Sequence, residues 1–488
     1  MTSLLSSCQG IIADELGNSF DLINRDFNLI LPSKIINCKI FYLMSIVDTS
    51  EIEETIIKPL QKNYQSLTGS FFNAPVDIAN NILQVKNYQI IDVHSIDELM
   101  LELVNGNTLV FLENQNSVIS ASTAKWNERN VDVPEGQRSL KGPNEGFVES
   151  LNTNVSLVRR IIKNKQLTFE KFTLGEKTNT DIAVFYLRDS VDKKVLDEIV
   201  IRIQSIKTNE ILDSNYIEEY ISDNYFTPFP LILNTDRPDV ASAEILSNKI
   251  GIIIDGSPYV LIAPAPFIIF LQSPDDYYFK WNLFFGRFFR MISVILAIYI
   301  PGLYISFTNY HTGLIPYKML VSLLGQGEGR PMPLLMELLL FTYFFQMIIE
   351  SALRVQSSLV IGISILGTIV LGQAAVDAGI VQPASLVVIS LSYILGFAVP
   401  IQTMETPIRL FRYSLILIGA LLGLYGIILV TILLIFHLTN LQSFGVPYLS
   451  PMGPFNLKDQ KDSFIRSSLK KITDNPKKYH HEGDKSKK

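Results

Sequence analysis

The order of apolar and polar positions divides the chain into two regimes. From about Pro32 to Trp126, apolar runs of strand length alternate with stretches of helical period. Lys34–Val47, KIINCKIFYLMSIV, is rich in β-branched and aromatic residues and predicts a strand. TSEIEETIIKPL predicts a helix capped by Thr49 or Ser50, with acidic residues in the first turn where the helix dipole favours them. SIDELMLELVNGNTLVFLEN predicts a helix capped by Ser95, a stop at Asn105–Gly106 and a strand, with which SVISASTAKW pairs. After the polar link NERNVDVPEGQRSLKGPN, Phe147, Leu151, Val155, Val158 and Ile162 recur at helical spacing. LTFEKFTLGEKTNTDIAVFYLRDSV predicts a strand pair, and KKVLDEIVIRIQSI a helix with an apolar stripe. KIGIIIDGSPYVLIAPAP predicts a hairpin about Asp255–Gly256. No sequence repeat relates the two subdomains.

The second regime begins where an aromatic belt (Tyr277, Tyr278, Phe279, Trp281) meets Lys280, Arg287 and Arg290, a membrane-interface signature with positive charge on the inner side. Five apolar segments follow, at about 291–308, 332–350, 358–378, 384–400 and 413–438. Arg412–Leu438 is the longest, with Tyr425 its one ionisable side chain between Tyr413 and Phe436, and it is expected to cross as one helix. Gly419 and Gly423 give it a small-xxx-small edge for close helix approach. Five crossings would separate the basic tail after Pro454 from the N-terminal region. Segment 332–350, which carries Glu337, is therefore expected to be interfacial or re-entrant, leaving four crossings. Arg409 and Arg412 would then face outside. The predicted architecture is an α+β soluble region of two α/β subdomains (1–130 and 131–280), then a helical transmembrane domain of four to five segments (281–440) and a basic cytoplasmic tail (441–488).

Composition changes this picture little. Mean hydropathy of +0.26 is an average over the two regimes. A net charge of -6 argues against nucleic acid as a partner. Cys8 and Cys38 make no disulfide framework and no metal spacing. LSSC at Leu5–Cys8 lacks the basic and apolar regions of a signal peptide, so the soluble region is expected on the cytoplasmic side. No catalytic, cofactor or metal motif appears among the five histidines, and GQGEGR at Gly325–Arg330 follows no strand, so it is expected to be a connector. Four features remain. Small residues line 361–379, where Gly372 and Ala375 permit close packing while Gln373 and Asp377 are polar groups that lipid rejects. Glu350 with Arg354, and Glu405 with Arg409, are i,i+4 pairs at membrane edges. Pro301 frees a backbone carbonyl inside the first segment, as a tolerated bend or a hinge.

Six runs, in this order, carry a resemblance: KGPNEGFVESLNTNVSLVRRIIK (141–163), NTDRPDVASAEIL (234–246), IIIDGSPYVLIAP (252–264), SPDDYYFKW (273–281), GQAAVDAGIV (372–381) and SFGVPYLSP (443–451). Over roughly 140–455 the chain resembles the A subunits of GerA-type nutrient germinant receptors of endospore-forming Firmicutes. The resemblance implies a homo-oligomer in the inner spore membrane, with its soluble region on the core side. Its partners would be a transporter-like B subunit that binds nutrient and a lipoprotein C subunit, and a path for monovalent cations through it would open on nutrient binding. Carried to matching positions, it implies that Glu145 and Phe147 with Asp236, Arg237 and Asp239 shape the soluble domain or its subunit contacts, and that Gly372–Gly379 lies in or beside the ion path. Pro301 and the Glu350/Arg354 turn are the candidate gate. One departure is IIESALRVQSS (348–358), which keeps Glu350 and Arg354 but lacks the family's proline, leaving open how this turn bends. A non-conducting scaffold and a secondary transporter are the alternatives. Segment 358–378 carries only a partial polar or small face, and no repeat supports inverted halves.

Overall fold

The computed structural model describes residues 10–31, 35–62, 74–125, 134, 136, 137, 139, 141–278, 285–327, 331–354 and 372–453. The N-terminal sheet holds β1 (Leu22–Ile30), β2 (Ile35–Leu43), β3 (Tyr88–Asp92), β4 (Asn107–Leu112) and β5 (Ser117–Ser122), antiparallel throughout in the order β1-β2-β4-β5-β3. One face, with Cys38, Ile40 and Tyr42, packs on helix α1 (Thr49–Ile52, continuing through Glu53–Ile57 and Lys58–Gln61) and α2 (Pro75–Asn81). The other, with Phe41, Leu43, Leu109 and Phe111, packs on α3 (Ile96–Val104). Cover on both faces explains why β2 and β4 are nearly continuous apolar runs. The cap of α1 is Asp48, not Thr49 or Ser50: its carboxylate accepts from the Ser50 and Glu51 amides at 3.0 and 3.3 Å.

The second sheet holds β6 (Leu167–Leu174), β7 (Thr180–Leu187), β8 (Leu233–Thr235), β9 (Ile250–Ile254) and β10 (Val260–Ala263), in the order β6-β7-β9-β10-β8. Its helices are α4 (Leu151–Ile161), α5 (Lys193–Ser205), α6 (Ser214–Ile221) and α7 (Pro238–Leu246). The succession of two strands, two helices, a strand, a helix and two strands is that of the first sheet, with the same spatial order. The fold is thus duplicated although no sequence repeat is visible. What recurs is the pattern of connections, and many sequences satisfy one pattern.

After α8 (Asp275–Tyr278) come the membrane-region helices α9 (Phe285–Asn309), α10 (Tyr317–Gly325), α11 (Leu334–Arg354), α12 (Gly372–Asp377), α13 (Pro383–Gly396) and α14 (Glu405–Asn440). Among the described residues, three stretches, Gly286–Asn309, Leu334–Ala352 and Gln402–Asn440, are long and apolar enough to cross a membrane. Most of segment 358–378 lies outside the described residues.

The sequence reading of 413–438 as one crossing is corrected by Gly423, whose φ of 61° and ψ of -148° break α14 into two limbs. The Phe229 ring lies 5.6 Å from that of Phe411 and 6.1 Å from that of His437. In a straight helix these two residues would stand ~39 Å apart. The limbs therefore form a hairpin that returns the chain to the soluble domain. At the reversal, Tyr310 donates to the carbonyls of Ala420 and Leu421 at 2.7 and 3.1 Å, which are among those the break leaves without helical partners.

The return reshapes the expected tail. Phe444 and Val446, in and beside the short ladder β11–β12 (Gln442–Ser443, Val446–Pro447), join the core between the second sheet and α5–α6, and Tyr448 joins the opposite core. Residues 441–453, grouped with the tail from sequence, are thus part of the second sheet's packing. The difficulty with Arg409 and Arg412 also disappears, because the first limb starts beside the soluble domain, where Ile401 and Met404 join its core.

Candidate functional site

The soluble domain grips the helical bundle at both ends of the chain's excursion. At the entry, Asp276 accepts from Arg287 Nε at 3.0 Å and from Arg290 at 2.9 and 2.7 Å, and Arg290 also donates to the Leu271 carbonyl. Burial alone would raise the Asp276 carboxyl, but the Arg290 and Arg287 guanidinium groups outweigh it and hold it below the usual carboxylate range. Arg287, read from sequence as part of a headgroup-facing belt, is buried in this clamp. At the exit, Thr227 shares a 2.9 Å hydrogen bond with His437, Ser443 donates to the Leu231 carbonyl at 2.6 Å, and Phe267 N–H donates to the Tyr448 carbonyl at 2.7 Å.

Between these grips, Pro301 organises a polar centre. It sits inside α9 and has no N–H, so the Ala297 carbonyl one turn back loses its helical partner. Ser392 of α13 donates its hydroxyl to that carbonyl at 2.6 Å, and Arg412 of α14 donates Nε at 3.2 Å. Arg412 also donates to the Ser392 carbonyl at 3.3 Å and lies 4.1 Å over the Tyr393 ring. Next to Pro301, a Cβ on Gly302 would stand 2.8 Å from the Leu415 carbonyl, and one on Gly419 the same distance from that of Gly302. The helices touch backbone to backbone here, as the small residue at Gly419 predicts. Ser392→Ala is expected to cost about 1 kcal/mol, since it leaves Ala297 with the longer bond alone. Melting of the detergent-solubilised chain checks this. In a Pro301→Ala background, where the helical N–H returns, the cost should shrink; an unchanged cost would refute the account.

Glu337 marks a second buried centre. It stands in the first turn of α11 and is fully buried. Its carboxylate accepts from the Gln382 amide at 3.2 Å and the Ser385 hydroxyl at 3.1 Å, at the N-terminus of α13, while Tyr304 donates to the Gln382 side chain at 2.6 Å. The reason for demoting segment 332–350 is thereby removed. The charge faces a helix N-terminus, where donors and dipole favour it, and not lipid. Deeper along the same helices, Tyr393 donates to the Thr342 carbonyl at 2.7 Å.

A sequence model described as "Bacillus/Clostridium GerA spore germination protein" matches residues 10–478. The chain belongs to the GerA family. It is 38% identical over 453 residues to spore germination protein KA of Bacillus subtilis, covering 93% of this chain and 82% of that one. It is 32% identical over 466 residues to spore germination protein GerLA of Bacillus cereus, covering 95% and 93%. Among solved structures, the N-terminal domain of the A subunit of the Bacillus megaterium spore germinant receptor GerK3 matches at 32% identity and a TM-score of 0.41, covering 53% of this chain and 94% of that one.

In this GerA-family chain the residues singled out from sequence fall into separate places. Pro301 lies at the polar centre. Gly372 is buried, with a Cβ there 3.3 Å from Leu386, while Gln373 and Asp377 are exposed one turn apart on α12, with Ala375 half-buried. Glu350 and Arg354 pair at 2.7 Å at the end of α11, well exposed, and contribute little to stability. Glu405 and Arg409 form no ion pair among the described residues. Of the residues expected to shape the soluble domain or its subunit contacts, most serve the domain itself. Phe147 and Arg237 are core groups, with Arg237 donating to Asp239, Gln137 and Pro143, and Asp236 accepts from the amides of Gly136 and Phe147. This knot ties the linker to α7 within the chain. Glu145, paired with Arg160, keeps exposed surface. Sequence reading missed Ser392 and the inward aim of Arg412 and Glu337. Their signal is polarity inside or beside apolar segments; the sequence reading weighs Glu337 as a cost in lipid, sets Arg412 outside and passes over Ser392.

Proposed function

We propose that this chain is the membrane subunit of a nutrient germinant receptor in the inner spore membrane. It oligomerises and lines a monovalent-cation path that opens when a transporter-like B subunit binds nutrient, with a lipoprotein C subunit completing the complex. Family membership supports the germination role. The observation that carries the coupling is the double grip: the Asp276 clamp holds the first membrane helix, and the returned chain at His437–Tyr448 holds the last. A shift in the soluble domain then moves both ends of the bundle together, as a two-state gate requires. Gln373 and Asp377, polar and exposed on one helix turn, are the groups we place on the path, with Gly372 and Ala375 packing behind them. Pro301 is the bend, and the Glu350/Arg354 turn the rim.

The test is potassium efflux from liposomes holding the subunit alone and then with its B and C partners. Nutrient-dependent efflux that falls in Gln373→Ala or Asp377→Ala is the expected result. One observation favours a non-conducting scaffold instead: between Leu410 and Phe436 the exposed side chains of the α14 hairpin, among them Leu421, Leu422, Ile428 and Ile432, are apolar apart from the Tyr425 hydroxyl. An assembled complex that binds nutrient and never leaks would establish that scaffold role.

A further inference from the structure

A cavity of about 530 Å³ opens beside Arg412, where α11, α13 and α14 meet the soluble domain at Gly136. Arg412 is only 3% exposed, and it has no carboxylate within ion-pair distance among the described residues. Two of its nitrogens are held by the Ala297 and Ser392 carbonyls. Arg412 and Glu405 both line the cavity without pairing with each other. A cation and an anion thus line one pocket, within electrostatic reach of each other but not in contact, and a charge without a direct partner is costly to bury.

The position of the pocket names its occupant. Arg412 lies two turns, ~10 Å, along α14 from Glu405, and helical side chains lean toward the N-terminus, here toward the soluble domain and the headgroup plane. The remaining wall is mostly apolar, including Ile349, and Phe397 stands 63% exposed at the mouth. We propose that this pocket binds the headgroup of a phospholipid, its phosphate on Arg412 and, in an ethanolamine lipid, its ammonium at Glu405. A guanidinium offers a phosphate paired donors, and a carboxylate beside it favours a zwitterionic headgroup over one of net negative charge.

The test uses the full chain, delipidated in detergent and titrated with ethanolamine phospholipid, glycerol phospholipid or inorganic phosphate. Melting temperature and native mass spectrometry are the readouts. Expected are one retained ethanolamine lipid per chain, a rise in melting temperature, and binding about tenfold weaker in Arg412→Gln. Since Arg412 also serves the Ala297 carbonyl, two further variants separate binding from folding. Ser392→Ala, which disturbs the same carbonyl, should keep the lipid. Glu405→Gln should keep binding but lose the preference for ethanolamine over glycerol. Equal retention in wild type and Arg412→Gln, no headgroup preference in wild type, or stabilisation by inorganic phosphate without lipid would each overturn the assignment.

Discussion

Replacing Arg159 with alanine is expected to destabilise the protein by about 3–5 kcal/mol, because it strands a buried carboxylate. Arg159 on α4 is fully buried, and it donates Nε and Nη2 to Asp21 at 2.6 and 2.7 Å. Ser19 and Ser45 donate to the same carboxylate at 2.7 Å each, and Arg159 lies 4.9 Å over the Phe169 ring. Asp21 directly precedes the first sheet and Arg159 belongs to the second subdomain, so this pair is the joint between them. Burial pushes the Asp21 carboxyl up, but the charge and hydrogen bonds of Arg159, with those of the two serines, outweigh it and hold it below the carboxylate range. The sign follows. A depressed folded pKa gives stability that is present above the unfolded value of about 3.9 and is lost as pH falls below it. In Arg159→Ala the two serine hydrogen bonds remain, but the guanidinium that outweighed burial is gone, so the folded pKa rises and stability should instead fall as pH climbs through the carboxylate range. Thermal melts of the full chain between about pH 3 and 7 would show the reversal. Adding Asp21→Asn to Arg159→Ala should recover part of the loss. Strictly additive losses with no change in pH dependence would refute the joint.

Gly423→Val is expected to weaken the α14 hairpin by roughly 2–5 kcal/mol, from backbone strain and crowding together. At φ 61°, ψ -148° only glycine sits comfortably, and a Cβ there would stand 3.0 Å from the His311 ring and 3.2 Å from that of Tyr310. Valine favours the uninterrupted helix, which would carry Phe444 and Tyr448 away from the soluble domain, so their burial opposes straightening. A lower melting temperature and looser packing of 441–453 are the outcome. Single cysteines at Ser205 and Ser450, in a chain whose Cys8 and Cys38 are replaced by serine, labelled in sealed vesicles with an impermeant maleimide, check the geometry. In the wild-type background both should react from the same side. Labelling from opposite faces, or a Gly423→Val melt identical to the parent, would refute the hairpin.

The strand pairs β4–β5, β6–β7 and β9–β10 were legible because their partners are neighbours in sequence, joined by turn residues. β1 was not legible, since Asn24, Arg25 and Asp26 are exposed at an edge and blur the apolar pattern. β3 and β8 are short and pair with strands distant in sequence. Pro301 is legible as freeing a carbonyl, but the two donors that satisfy it, Ser392 and Arg412, lie 95 and 115 residues beyond Ala297. Glu337 was weighed as a charge in lipid because periodicity does not reveal a facing helix N-terminus.

By itself the sequence determined what local spacing can encode: a soluble α/β region, apolar segments of membrane length, and the ordered runs by which the family resemblance was recognised. The tertiary structure decided what depends on long-range contact. It turned the longest segment back at Gly423, buried 441–453 in the second sheet's packing, and set Ser392 and Arg412 on the carbonyl that Pro301 frees. Apolar length measures the chance of entering a membrane, whereas direction and partners follow from one glycine's backbone angles and from side chains that meet only after folding.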